Sequence, residues 1–455
     1  MGEPSMDDPV AERGLLGAIR SPSESPFAAK ALIASLALAL LLRPTVSFLE
    51  LPGILNFLFF PVLLVGLLGS RPSGTPTETR IMRAFIILTL AVAASSVANF
   101  ASPLAAAILW ASLVVPFLVV LVALRGWSRG PIKADVHHLV VFFLLAQAAV
   151  IAFERFVLGQ TSDAAQGFLG GQGAGHHVVG FVGVGTALYL GMRMFEQRGL
   201  RAQPLLYVAI GAGLAIGAIT GTMQSLLALG VTGVVFLATR RSQWPLLAPL
   251  TLGALILGLV FSAWVSFAPP ARNWYGDEFF QNKGFTVSLI LDEYQTAPLL
   301  SALGLAPGET ATRVAWIGAG EGNLVSSLGL EPGGVARQLL LVEQQKPPWR
   351  SSSLTSPWST WLGVWGDLGI FGLFAYASVW IVIARACIDR PSKSRAGLYL
   401  VLYLAILGAF YNWLEEPVLT LFLGLAVADA VVRSNRSERL ADRVGNIASP
   451  NQPLR

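Results

Sequence analysis

The chain has 455 residues, of which 54% are hydrophobic and only 13% charged, and its formal net charge is +5. A soluble domain carries about 25% charged residues, and the mean hydropathy here is +0.64. A soluble enzyme is thereby excluded, and so is a β-barrel, because the apolar runs are continuous and do not alternate with period two.

In chain order, residues 1–26 are polar with mixed charges and Pro9, Pro22 and Pro26, and lack the apolar core of a cleaved signal peptide. They read as a cytoplasmic tail. Apolar stretches then predict twelve membrane helices at 27–43, 47–70, 84–100, 104–124, 138–156, 177–195, 204–221, 223–239, 246–268, 359–385, 396–413 and 417–433. The seventh and eighth are separated only by a turn near Thr220-Gly221-Thr222. Nine spans thus fill 27–268, one large loop occupies 269–358, three spans fill 359–433, and a second tail covers 434–455.

The connections alternate in charge. One set carries Arg71/Arg80/Arg83, Arg125/Arg129/Lys133, Arg198/Arg201, Arg240/Arg241, Arg390/Lys393/Arg395 and Arg433/Arg436/Arg439. The other set (44–46, 101–103, 157–176, 221–222 and 414–416) is short or lacks clustered Lys and Arg. By the positive-inside rule, the first set and both termini are cytoplasmic, and the 269–358 loop lies outside. The basic pI near 9.5 therefore reflects topology, and no nucleic-acid partner is expected.

A loop this long is functional or disordered far more often than it is a plain connector. Trp274, Tyr275, Phe279, Phe280, Phe285, Tyr294 and Trp316 favour an ordered, functional one, with short helices at 286–305 and 333–346. Its arginines, Arg272, Arg313, Arg337 and Arg350, are unexpected on an outer face. A guanidinium fork matches phosphate oxygens and stays charged in a partly dry site, so a lipid-linked diphosphate is the natural anion for them. Pairing with the loop's own carboxylates is the alternative for any one arginine.

Midway along this loop the run Trp316-Ile-Gly318-Ala-Gly320-Glu321-Gly322-Asn323 leads, after a spacer, into Trp358-Ser-Thr-Trp-Leu-Gly-Val-Trp-Gly366-Asp367-Leu-Gly369-Ile-Phe-Gly372. Gly318/Gly320/Gly322 follow no strand, so a dinucleotide site is not expected. They form either a turn whose N–H groups approach an anion or an ordinary glycine turn. Asp367 sits about two turns inside an apolar span, where a charge needs a partner or water. Glu154-Arg155, Glu415-Glu416 and Asp429 lie nearer span ends and can serve in pairing or snorkelling. His176-His177 open span six on the outer side, where His177 can act as a general base or as polar edging. His137-His138 are cytoplasmic and carry no assigned chemistry. With Cys387 the single cysteine and no ligand spacing among the histidines, neither a metal nor another cofactor is expected.

Taken in order, these segments resemble the O-antigen ligase and polymerase superfamily of bacterial surface-polysaccharide assembly. Pro357-Trp-Ser359-Thr-Trp-Leu362 followed by Gly366-Asp367-Leu-Gly369-Ile-Phe-Gly372 is similar to the family's His-Asn-x-x-Leu and Glu-x-Gly-x-x-Gly motifs. Gly318-Ala-Gly320 is similar to its Gly-x-Gly turn, Asp163 to Gly170 to its Asp-x-x-x-Gly-x-x-Gly stretch, and Thr220-Gly-Thr222-Met223 to its Thr-x-Ser-Arg motif. The ligase histidine is replaced by Pro357 or Trp358, and the motif's arginine by Met223, so the pattern leans toward the polymerase branch. The resemblance implies an inner-membrane, metal-independent glycosyltransferase acting on undecaprenyl-diphosphate-linked glycans, with a chain-length regulator as a candidate partner. On that basis Arg313 and Arg337, supported by Arg272 and Arg350, would hold the diphosphate, and Glu321, Asp367 and His177 are candidates for the base. Ligase-type transfer and a twelve-span transporter are the competing expectations.

Overall fold

The computed structural model describes residues 25–49, 53–101, 103–127, 134–160, 165–169, 175–196, 203–239, 316–318, 360–388, 396–411, 413–415 and 417–448. Among them every regular element is helical. The helices are α1 (Pro26–Phe48), α2 (Phe59–Leu68), α3 (Pro76–Ala98), α4 (Pro103–Gly126), α5 (Ala134–Ala152), α6 (Gly175–Glu196), α7 (Pro204–Ile219), α8 (Met223–Thr239), α9 (Thr360–Ile388), α10 (Ala396–Phe410) and α11 (Pro417–Ala448). Short helical turns at Gly53–Phe57, Gly167–Leu169 and Trp413–Glu415 join them, and a wider turn, Phe153–Val157, extends α5.

Each helix falls on an apolar stretch expected to span, and the stretch 246–268 lies outside the described residues. Among the described residues four helical segments are long and apolar enough to cross a membrane: Pro26–Val46, Pro76–Ala98, Ala106–Gly126 and Gly363–Ile388. The described residues thus form an all-helical, membrane-embedded bundle.

Boundaries differ from the hydropathy reading where capping chemistry decides them. The helix expected from residue 84 begins at Pro76, because Thr75 accepts from the Glu78 N–H at 3.2 Å and Pro76 supplies the preset first turn. The stretch 47–70 is not one helix: α1 runs through Pro44 to Phe48, and a tight turn at Gly53–Phe57 precedes the ten residues of α2. Ten residues rise only about 15 Å, half a bilayer core. At the other end of the chain α11 continues past residue 433 to Ala448.

The centre of the bundle is α4. Leu113–Leu124 are buried without interruption, as a helix apolar on every side requires. Around it pack α1, α2, α3 and α11, while α9 lies along α3, α10 along α8 and α9, and α7 against α5 and α6. Between α6 and α7 the backbones meet at Gly183 and Gly213, where a Cβ on either would press on the other's carbonyl. Small residues serve this purpose in membranes, since close van der Waals packing rather than water exclusion holds such helices together.

Contacts sort into two opposite ends. One end gathers the start of α1, the ends of α2 and α4 and the start of α3: Arg125 Nε lies 2.6 Å from Glu78 Oε1, Arg125 Nη1 donates to the carbonyls of Leu67 and Ser70, and Glu78 Oε2 accepts from Ser73. On the same side of the alternation, Asp429 pairs with Arg433 at 2.6 Å and bonds the Tyr189 hydroxyl, with Arg193 at 3.9 Å. The other end gathers the close of α3, α5, α7 and α10 and the start of α6, α8 and α9.

Candidate functional site

That second end holds an interruption in a membrane helix. At Gly369, φ is 69° and ψ is −174°, so α9 is two helical pieces meeting at Asp367-Leu368-Gly369. The segment Trp316–Gly318 crosses this break. A Cβ on Gly369 would fall on the Trp316 carbonyl, and a Cβ on Gly318, itself at φ 81°, would fall on the carbonyl of Asp367. Glycine at both places is what lets two main chains touch. The crossing is secured from α3: Ser95 Oγ stands 2.8 Å from the Ile317 carbonyl and 3.0 Å from that of Asp367, with its single proton shared between them. Asn99 Nδ2 in turn donates to the Ser95 carbonyl at 2.8 Å. The indole of Trp316 rests on Phe371, with ring centroids 5.6 Å apart.

A second knot fixes the start of α9. Thr360 donates through both its N–H (3.2 Å) and Oγ1 (3.0 Å) to the Tyr411 carbonyl, and Trp413 N–H donates to Thr360 Oγ1 at 3.1 Å. Trp361 Nε1 donates to the Ala405 carbonyl at 2.8 Å. The ring of Tyr411 lies 4.4 Å from Phe181 and 5.3 Å from His177, whose imidazole stacks on Phe181. His177 and Asp367 therefore sit at one end of the bundle, joined through Tyr411 and Thr360. Asp367 is seven residues beyond Thr360, about 10 Å along the helix. His177 is half-buried, whereas Asp367 is 1% exposed.

Two further devices shape this end. The α7–α8 break turns at Gly221 with φ 69°, and it is tied by Thr220 Oγ1 to the Ile216 carbonyl and by Thr222 Oγ1 to that of Gly217. Glu154 Oε2 accepts from the N–H groups of Gln166 and Gly167 at 2.9 and 2.8 Å, while Gln147 clamps Gln166 and Phe168. Glu154 thus holds the Gly167–Leu169 turn, and Arg155 donates to the Gln160 carbonyl.

The other expected site residues, Glu321, Arg272, Arg313, Arg337 and Arg350, lie outside the described residues, as does Glu416. Ser95, Asn99, Thr360 and Gln147 were not singled out from the sequence. The signal available was a polar cluster, Ser95-Ser96 and Asn99, near the end of a largely apolar span. Among the described residues no three His, Cys, Asp or Glu side chains converge as a metal would require. Chemically, the arrangement presents main-chain carbonyls outside the helical ladder, a buried carboxyl at the break and an imidazole beside a tyrosine. No protein-family model matches the chain, and no curated protein sequence matches it.

Proposed function

We propose that this chain is a polymerase of undecaprenyl-diphosphate-linked polysaccharide repeat units, acting at the outer face of the bacterial plasma membrane. The broken α9 carries most of the weight. Irregular backbone at membrane depth survives only where protein buries it or water reaches it, and discontinuous helices are where membrane proteins place substrate sites. The break is crossed by Trp316–Gly318, a segment within the arginine-bearing stretch 269–358, three residues after Arg313.

In the reaction an acceptor sugar hydroxyl attacks the anomeric carbon of the donor glycan. The bond from that carbon to the diphosphate oxygen breaks, the hydroxyl proton passes to a base, and undecaprenyl diphosphate departs. Arg313 and Arg337, with Arg272 and Arg350, would stabilise the charge developing on the diphosphate. A base must come within about 3 Å of the hydroxyl. Of the two described candidates, half-buried His177 suits that task better than Asp367, whose burial at the break suits positioning; Glu321 remains the third candidate.

Ligase-type transfer and a transporter share the broken helix. Deletion of the gene separates the readings: a polymerase loss leaves single repeat units on the lipid carrier, a ligase loss leaves full-length unattached chains, and a transporter loss leaves neither. Arg313→Ala should abolish polymer while membrane protein level stays normal, and Arg313→Lys should keep part of the activity. Wild-type chain lengths in Arg313→Ala would remove the assigned role.

A further inference from the structure

The α1–α2 hairpin does not close at the membrane surface. Ser35 Oγ lies 3.4 Å from the Phe59 carbonyl, a Cβ on Gly66 would fall on the Ala31 side chain, and one on Gly69 would fall on the Phe27 ring. These contacts fix α2 antiparallel to α1. Ser35 is nine residues beyond Pro26, about 14 Å up a helix that rises about 34 Å in all. The Gly53–Phe57 turn joins the start of α2 directly, with the Leu58 N–H donating to the Leu55 carbonyl at 3.1 Å. Asn56, three residues before Phe59, therefore stands about 20 Å from the Pro26 end, within the hydrocarbon thickness of about 30 Å and in the half nearer the helix break.

Asn56 is 4% exposed, and among the described residues its Oδ1 has no hydrogen-bond partner. A buried carboxamide left open costs free energy that a bound hydroxyl returns. Elsewhere the bundle closes such a group itself. Gln147, equally buried, donates through Nε2 to the Gln166 carbonyl at 3.0 Å and accepts through Oε1 from the Phe168 N–H at 2.9 Å, so the Gly167–Leu169 turn is held by the protein's own atoms. Both turns pack against α1, and only the first keeps an open carboxamide oxygen. On α1 itself, Pro44 has no N–H to give the Leu40 carbonyl, which lies fourteen residues beyond Pro26, about 21 Å up. An open side-chain oxygen and a main-chain carbonyl deprived of its helical donor thus stand at one height.

We infer that Asn56 is the recognition group of a buried hydroxyl-binding site: an O–H group donates to its Oδ1, supplied by water or by a sugar hydroxyl that enters from the break end of the bundle. Two acceptors at one height suit a ligand with two O–H donors, which water has and which two adjacent sugar hydroxyls have. Irregular backbone such as the Gly53–Phe57 turn is tolerated at membrane depth where protein buries it or where it lines a hydrated cavity, and an open polar group on that backbone favours the hydrated case. The site stands whether or not the protein transfers glycans; only the choice of a sugar hydroxyl over water rests on that reading.

The test uses full-length protein on a Cys387→Ser background, carrying Asn56→Cys or Leu63→Cys, in phosphatidylcholine nanodiscs. Each sample is treated with silver ion, a water-sized probe that captures thiolates in hydrated sites, then washed, denatured and labelled with a fluorescent maleimide. Silver should abolish the later labelling of Asn56→Cys and leave that of Leu63→Cys, a fully buried position of α2, unchanged. Full labelling of Asn56→Cys after silver, or equal loss at Leu63→Cys, would each overturn the site. The same treatment in native membranes separates the two sources. Blocking of Asn56→Cys at the nanodisc rate assigns the hydroxyl to water, and slower blocking there alone assigns it to a bound glycan. A measurement on wild-type protein in nanodiscs needs no variant to fold: hydroxyl radicals formed from bound water in a brief X-ray pulse should oxidise Phe59, three residues from Asn56, and spare Phe117, which is equally buried. Oxidation of neither ring would overturn the site.

Discussion

At Gly369 the main chain adopts a conformation that an L side chain enters only with strain, and the space a Cβ would need is filled by the Trp316 carbonyl. Both effects act together in Gly369→Ala, which should lower stability by about 3 kcal/mol, combining left-handed strain with forced separation of packed backbone. Gly211, in α7, has no atom within 4 Å of where its Cβ would be. There Gly211→Ala should raise stability by about 0.5–1 kcal/mol, because alanine has less backbone freedom to lose in a helix. Unfolding midpoints of the two detergent-purified variants, measured side by side, should move in opposite directions. A Gly369→Ala midpoint equal to wild type would show that the two chains do not cross closely. The glycines at 318 and 369 were visible in the sequence as members of two separate motifs. That they press against each other was not, because nothing local to either motif reports the other.

For the helices, the choice of ends matters more than the choice of apolar residues. The N-terminus of α3 combines a Thr75 cap, Pro76 in the first turn and Glu78 facing inward to Arg125. Hydropathy alone starts the helix eight residues late, since Thr77, Glu78 and Arg80 read as connection. With side chains only 5% and 9% exposed, Glu78 and Arg125 form a buried ion pair whose remaining donors and acceptors are met by Ser70, Ser73 and Leu67. Breaking such a pair from one side strands the other charge, so Glu78→Ala should lose about 3–5 kcal/mol. Glu78→Leu combined with Arg125→Met should recover most of that loss, because the desolvation of both charges disappears together. Thermal unfolding followed by circular dichroism reads both variants; a double variant no better than Glu78→Ala would mean that the pair matters for something other than its charges.

At each end of the bundle, contacts join helix starts to helix ends, as helices of alternating direction demand: Ser95 with Asp367, Thr360 with Tyr411, Arg125 with Glu78. The charge pattern of the connections then sets which end faces the cytoplasm. On a Cys387→Ser background, Ser162→Cys should react with a membrane-impermeant maleimide in intact cells. Ser242→Cys and Ser394→Cys should react only after permeabilisation. Labelling of Ser394→Cys in intact cells would invert the proposed orientation and move the α9 break to the cytoplasmic side.

The all-helical, membrane-embedded class and the positions of most helices follow from the sequence alone, because apolar length and Gly or Pro punctuation are local properties that a bilayer reads directly. The turn at Thr220–Thr222 was legible for the same reason. The break in α9, its crossing by Trp316–Gly318, the Ser95 clamp and the Glu78–Arg125 pair were decided only by tertiary structure. Each depends on which helix lies beside which, and a helix's neighbours are set by the packing of the whole bundle rather than by its own residues.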